Sequence, residues 1–369
     1  MEKNFNIQFK ILSALAICFV VCGHTGCSTL TLCGLFRYDS FHMPLFLFIS
    51  GYFFSENSLE GKIISKNGYI KKQIKRLFLP WILWNIVYGI IVTILRNTEP
   101  FKFTLGMDIS MESIYRSFTI GDAFSLNVAS WFLLTLFIIK IVYWLIKKVC
   151  YESKMQPREE IFLVMYLFAA MFAILYAKNP TSFDFKILLI RVLYLSFWYE
   201  VGYYYRVKLE RYDKYSNLKY FSCILILQSI LLLITKGESI SIVYSATFPF
   251  NPVITMIYAF NGIAFWLRIS KLLIPIMGKS ETMLYLANHT FSVMMHHGFF
   301  LKIYNGLFFI LYKYTTHCAN FDSVKYRGSI WWMYLPYGKQ VFTNIDAVIG
   351  IVCPCVCVVL YERYVRNRI

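Results

Sequence analysis

Charge is what this chain has least of. Only 15% of its 369 residues are Asp, Glu, Lys or Arg, whereas soluble globular domains carry roughly a quarter. A water-facing surface is thereby excluded as the general solution for the fold. Acidic residues are scarcer still, 20 against 37 basic ones, and spans built from this chain have few carboxylates to offer a metal ion. There is no His-x-x-x-His pair within an apolar run. The ten Cys form neither zinc-type pairs on polar loops nor a secreted disulfide pattern, and most sit inside apolar runs such as Cys353-Pro354-Cys355-Val356-Cys357. They read as small packing residues, and a Cys27–Cys33 pairing is not specified. No internal repeat and no Pro- or Gly-rich linker divides the chain, so residues 1–369 are expected to form one transmembrane domain. After the first apolar run, Gly23-His24-Thr25-Gly26 offers no small-x-small cleavage site, and that run reads as a retained span.

What the chain does have is apolar and aromatic surface: 58% hydrophobic residues, 34 Phe, 28 Tyr and 8 Trp, with mean hydropathy +0.55. Lipid is the solvent that suits it, and about 20 apolar residues cross a hydrocarbon core as a helix. Ten candidates recur: 11–33, 43–54, 77–95, 131–146, 161–177, 187–205, 220–235, 252–267, 283–309 and 347–361. The expected fold is therefore an all-α polytopic integral membrane protein of about ten transmembrane helices. Its larger external loops are expected at about 96–129 and 313–345.

Basic residues accumulate in cytoplasmic loops. With both termini cytoplasmic, 23 of the 37 Lys and Arg fall in inside segments and 11 outside, with Lys140, Arg191 and Lys302 in spans. Among the inside residues are Lys3, Lys62, Lys66, Lys147, Lys148, Arg268, Arg366 and Arg368, and among the outside ones is Lys102. The net charge of +17 thus reads as topology and lipid contact, not as a nucleic-acid surface.

Ionisable groups at bilayer depth mark function by default. His24 lies about 13 residues, roughly 20 Å, from the start of its run, and His42 opens the second run. His296 and His297 fall at a matching depth in the run that starts at Met283, where His289 and His296, seven residues apart, are expected on one face. Satisfied polar contacts between helices and a working site are both open readings for His289, His296 and His297. His24 is the candidate general base, because imidazole titrates near neutral pH. Arg191 and Glu200, nine residues apart in one run, each need a partner elsewhere, while Lys140 and Lys302 are expected to snorkel. Lys72, Lys75 and Arg76 share a helical face and are able to anchor anionic lipid or to hold the phosphates of a cytosolic donor. Trp131 suits either an interface belt or a sugar-stacking platform.

Several of these stretches carry a likeness. Ile11 to His24, then Phe41-His-Met-Pro-Leu-Phe-Leu-Phe-Ile-Ser-Gly-Tyr52, the basic run ending Arg76-Leu-Phe-Leu-Pro80, Ser130-Trp131-Phe-Leu-Leu-Thr-Leu-Phe137 and Thr290-Phe-Ser-Val-Met-Met-His-His297 together resemble the membrane acyltransferase-3 family. The resemblance implies an O-acetyltransferase that moves an acetyl group from cytosolic acetyl-coenzyme A to a hydroxyl of a cell-surface glycan, in a bacterial inner membrane. His24 would be the base, acting directly or through an acetylated intermediate. His42 would be a second catalytic residue, and Trp131, Arg191, His296 and His297 would meet the substrate. The implied co-substrate is acetyl-coenzyme A, held by Lys72, Lys75 and Arg76, with no metal; the oligomeric state is left open. Two positions depart from the family pattern: Ser13 and Lys10 stand where an Arg and an acidic residue are common, and the usual Arg-x-x-Arg appears as Lys72-x-x-Lys75-Arg76. The rival reading from a different class is a transporter or flippase for a polar or lipid-linked sugar, which would use the same buried groups as a pathway. A third is an inactive scaffold.

Overall fold

The computed structural model describes residues 6–32, 34–60, 68–101, 109–121, 125–155, 157–179 and 184–364; the expectations resting on Lys3, Cys33, Lys62, Lys66, Lys102, Arg366 and Arg368 lie outside the described residues. Its helices are α1 (Ile7–Thr25), α2 (His42–Tyr52), α3 (Tyr69–Leu95), α4 (Met111–Thr119), α5 (Trp131–Glu152), α6 (Glu159–Ala177), α7 (Lys186–Tyr204), α8 (Asn217–Thr235), α9 (Pro252–Leu272), α10 (Glu281–Asn288), α11 (Thr290–Tyr314), α12 (Ser323–Gly328) and α13 (Phe342–Tyr364). Among the described residues no β-strand forms, and a single bridge joins Ile242 to Thr247. Among the described residues seven helices, α1, α3, α5, α6, α8, α9 and α13, are long and apolar enough to cross a membrane. The chain is an integral membrane protein.

Burial ranks the helices. Half-exposed α6 and α8 turn Phe168, Phe172, Ile226 and Leu233 outward, as lipid-facing helices do. By contrast α7 buries every residue from Tyr194 to Tyr203 and forms the centre. The short α2 lies against it at backbone distance: a Cβ on Gly51 would sit 1.8 Å from the Tyr199 carbonyl oxygen, and one on Gly202 would sit 1.9 Å from that of Phe48. Two glycines facing each other across a helix pair permit this approach, as small residues do in membrane bundles. An 11-residue helix such as α2 spans only about 16 Å, so its place inside the bundle is what makes it tolerable.

Side-chain links identify two ends of the bundle. At one, Asn6 meets Tyr52, Tyr52 donates to Glu210, Lys148 reaches the Leu59 carbonyl and Arg268 pairs with Asp213. At the other, Thr29 and Cys27 donate to Asn344, and Arg37 binds Asp39 and the Gly237 carbonyl. The first end is the basic one.

Four boundaries differ from expectation. The first helix stops at Thr25 and not at Cys33, because Gly26 turns left-handed at φ 70° and ends it as glycine C-caps do. The run from Met283 is not one helix: it breaks at His289, φ −114°, between α10 and α11. His289 therefore shares no continuous face with His296; its ring stacks on Tyr285 at 4.0 Å and donates from Nδ1 to the Tyr285 carbonyl. The fourth run continues to Glu152, which moves Lys147 and Lys148 from a loop onto α5, where both are buried. Lys147 pairs with Glu159 and faces the Phe162 ring at 3.8 Å. Likewise α9 runs on to Leu272 and takes Arg268 into its buried face, over the Tyr220 ring at 4.0 Å.

Candidate functional site

Three helices carry stripes that end in histidine. On α1 the stripe is Ser13, Ile17, Val20 and His24; on α2, read backwards, it is Ser50, Phe46 and His42; on α11 it is Thr290, Met294 and His297. Steps of three and four residues keep each stripe on one helix face. Between these stripes and α5 lie two cavities. The first, about 270 Å³, is walled by His24, His42, Tyr38, Asp39, Trp131, Tyr244 and Trp331 among others. The second, about 250 Å³, is walled by Ser13, Ser50, Thr290, Leu77 and apolar neighbours. Phe46, Phe132 and Met294 belong to both walls.

His24 stands in the last turn of α1, with its imidazole stacked on Trp331 at 4.0 Å and 16° and on His297 at 5.1 Å and 25°. The convergence of His24, His42 and His297 on one layer is as expected. Backbone partners set the tautomers of two of them. His42 Nδ1 meets the Tyr38 carbonyl and His297 Nδ1 meets the Val293 carbonyl at 2.9 Å. A carbonyl only accepts, so each Nδ1 carries the proton and each neutral ring keeps a lone pair on Nε2. The Nε2 of His297 is buried and has no hydrogen-bond partner among the described residues. In this state both rings accept a hydrogen bond from a hydroxyl and do not donate one to an oxyanion.

The remaining expected site residues divide. Trp131 lines the first cavity, and its backbone is approached so closely by Gly121, φ 92°, that a Cβ there would meet the Trp131 Cα at 2.8 Å. Arg191 stands behind that wall: it is buried, lies 4.4 Å over the Trp131 ring and donates to the carbonyls of Tyr244 and Ile120. It braces the cavity and does not line it. His296 points away, bonded to the Tyr88 hydroxyl at 2.7 Å and edge-on to Trp84 at 4.3 Å. Glu200 has its partner in Tyr143, whose hydroxyl donates at 2.7 Å. Lys302 does not snorkel: it is buried against the Tyr326 ring at 3.8 Å.

Lys72, Lys75 and Arg76 are exposed at the basic end, but residues 74–78 form a π-turn that widens the expected α-helical spacing. Lys140 on α5 lies within electrostatic reach of Lys72 and Arg76 and joins them. Leu77, the next residue, is on the wall of the second cavity. The basic cluster, the second cavity and the first therefore follow one another along the bundle toward His24.

Sequence reasoning missed Tyr38, Asp39 and Tyr244 on the wall of the first cavity and, stacked on His24, Trp331. It belongs to the segment between α11 and α13, whose small core of Phe309, Phe321, Tyr326 and Tyr334 is pinned by buried Asn305 to the Trp332 carbonyl and the Tyr334 N–H. Asp322 caps α12 there, and the backbone N–H of Lys325 holds its carboxyl below the usual carboxylate range. Three aromatic residues within four positions, Trp331, Trp332 and Tyr334, were the only local hint.

A helical membrane bundle with an internal, imidazole-walled cavity is the class these features define. The acyltransferase-3 family model, an acyltransferase domain, matches residues 6–361, and the chain belongs to that family. It is a membrane acyltransferase. No curated protein and no solved structure matches the chain.

Proposed function

We propose that the protein is an O-acetyltransferase that takes its acetyl group from acetyl-coenzyme A and delivers it to a hydroxyl of a cell-surface glycan or its lipid-linked precursor. The observation that carries this reading is the succession of basic cluster, second cavity and first cavity along stripes ending in His24. In this account α2, α7 and α11 complete a ten-crossing topology with both termini in the cytoplasm of a bacterial cell and the basic end inside. Phosphates of the donor rest on the exposed Lys72, Lys75 and Arg76, with the partly buried Lys140 behind them, where cations meet a soluble anion. The pantetheine arm follows the second cavity, past Leu77 and Ser13. Ser13 provides a hydroxyl and space where a guanidinium would fill the passage.

At the far end His24 accepts the proton of the acceptor hydroxyl. The oxygen bonds to the thioester carbonyl carbon, the carbon–sulfur bond breaks, and the imidazolium returns the proton to the thiolate, leaving an ester and free coenzyme A. His42 and His297, each with a lone pair on Nε2, orient hydroxyls of the acceptor. Trp131, Tyr244 and Tyr38 offer ring faces, and Asp39, already held by Arg37 at 3.2 Å and Ser239 at 2.5 Å, offers a carboxylate edge, a combination suited to a sugar. Comparing surface polysaccharide from cells with and without the protein tests this: an acetyl mass increment that depends on the protein supports it, and identical polysaccharide overturns the choice of acceptor.

A further inference from the structure

The two cavities adjoin, and α1, α2 and α11 line both. What stands between them is Phe46 from α2, Phe132 from α5 and Met294 from α11, the residues common to the two walls. The rings of Phe46 and Phe132 meet at 5.7 Å and 57°, and Met294 is only 9% exposed. The chemistry on either side differs. The first cavity is the polar one, with three histidines in or beside it and the Asp39 carboxylate, and it reaches exposed residues such as Ile242 and Gly23. The second adjoins Leu77, one residue from the exposed Arg76. An apolar partition of two rings and one thioether excludes water and ions, while methionine, with three rotatable bonds and no branch, is the side chain best able to move aside without disturbing the helices.

We propose that Phe46, Phe132 and Met294 form a gate, with Met294 its moving part, that keeps the two cavities separate until a slender ligand is threaded between them. The second clause of the proposal rests on the donor reading above: while the thioester waits in the second cavity, the closed gate keeps water of the polar cavity off it, so that the carbonyl carbon meets a glycan hydroxyl at His24 before it meets water. Water attack would break the same carbon–sulfur bond and release acetate and coenzyme A. The gate thus sets the ratio of transfer to hydrolysis without itself bonding to the reacting atoms.

Two readouts separate the clauses. Full-length protein in sealed liposomes, loaded with a pH-sensitive dye, reports on the partition without any donor. Met294→Ala combined with Phe46→Ala is expected to raise the proton leak above wild type, whereas Met294→Leu, which refills the space, is expected to stay at the wild-type level. Equal melting midpoints in detergent show that the double variant remains folded, and Met294→Ala alone serves if it does not. A leak unchanged in the folded variant overturns the gate. Release of thiol from acetyl-coenzyme A without acceptor is the second readout, expected to rise about tenfold in the same variant once the water-excluding wall is opened. A raised leak with no thiol release from wild type or variant would keep the gate and overturn the donor reading. A raised leak with thiol release unchanged from an active wild type would overturn the protective clause.

Discussion

His42 and His297 each commit Nδ1 to the main-chain carbonyl four residues earlier, which leaves one ring nitrogen for chemistry. Asparagine can keep the donor and lacks the second nitrogen, so His42→Asn and His297→Asn should fold while losing acceptor alignment, visible as a raised KM for the acceptor with the donor KM unchanged. His24 has a different environment, ring against ring with Trp331. His24→Ala should lower kcat by roughly 10²–10⁴, the usual worth of a positioned base. When His24 takes up a proton the indole face stabilises the cation, so Trp331→Leu should lower kcat by roughly 2- to 30-fold, the range expected of a cation–π contact, and Trp331→Phe should restore most of it. Equal kcat for Leu and Phe at this position would contradict that role. The three histidines were legible in the sequence because an imidazole inside an apolar run stands out. Trp331 was not, because its contact with His24 joins residues more than 300 apart in the chain and depends on Asn305 fixing the intervening segment. His296 and Arg191 stood out equally and proved to be a helix-to-helix bond and a brace, which shows that buried polarity locates candidates without distinguishing lining from support.

Among the elements, α2 and α7 are the pair on which the site depends, since α2 carries His42 and is too short to hold its place alone. Gly51→Ala or Gly202→Ala would drive a methyl group to within 2 Å of a carbonyl oxygen, well beyond the strain of ordinary overpacking, about 1–3 kcal/mol. Each should abolish monodisperse protein in detergent, while Gly328→Ala, with open space at its Cβ, should not. Helix existence was readable from apolar runs because lipid demands long uncharged stretches. Helix ends were less so: the residues after Thr25 stay apolar although Gly26 has already turned the chain, and Lys147, Lys148 and Arg268 look like loop anchors until their partners Glu159, Leu59 and Asp213 are seen. The break at His289 and the π-turn at 74–78 are tertiary adjustments that no periodicity announces.

Across the whole molecule, the basic cluster and the histidine-walled cavity lie at opposite ends of a row of two cavities. Exposed cations bind weakly and are screened by salt, so replacing Lys72, Lys75 or Arg76 by Gln should raise the donor KM by roughly fivefold each, with kcat nearly constant and with the difference from wild type shrinking at high ionic strength. Lys140→Gln belongs to the same series, and a kcat effect there would place it elsewhere. The distribution of Lys and Arg pointed to this end of the bundle from sequence alone; the cavities between it and His24 arise only when α1, α2, α3, α5 and α11 meet. Acyl transfer by His24 at the far end of that row is the step on which the proposed function rests. Its most direct measurement is transfer of labelled acetyl from acetyl-coenzyme A to surface glycan by purified protein in liposomes, wild type beside a folded His24→Ala variant. Label on the glycan is expected with wild type and almost none with the variant; equal labelling by both would rule out His24 as the base.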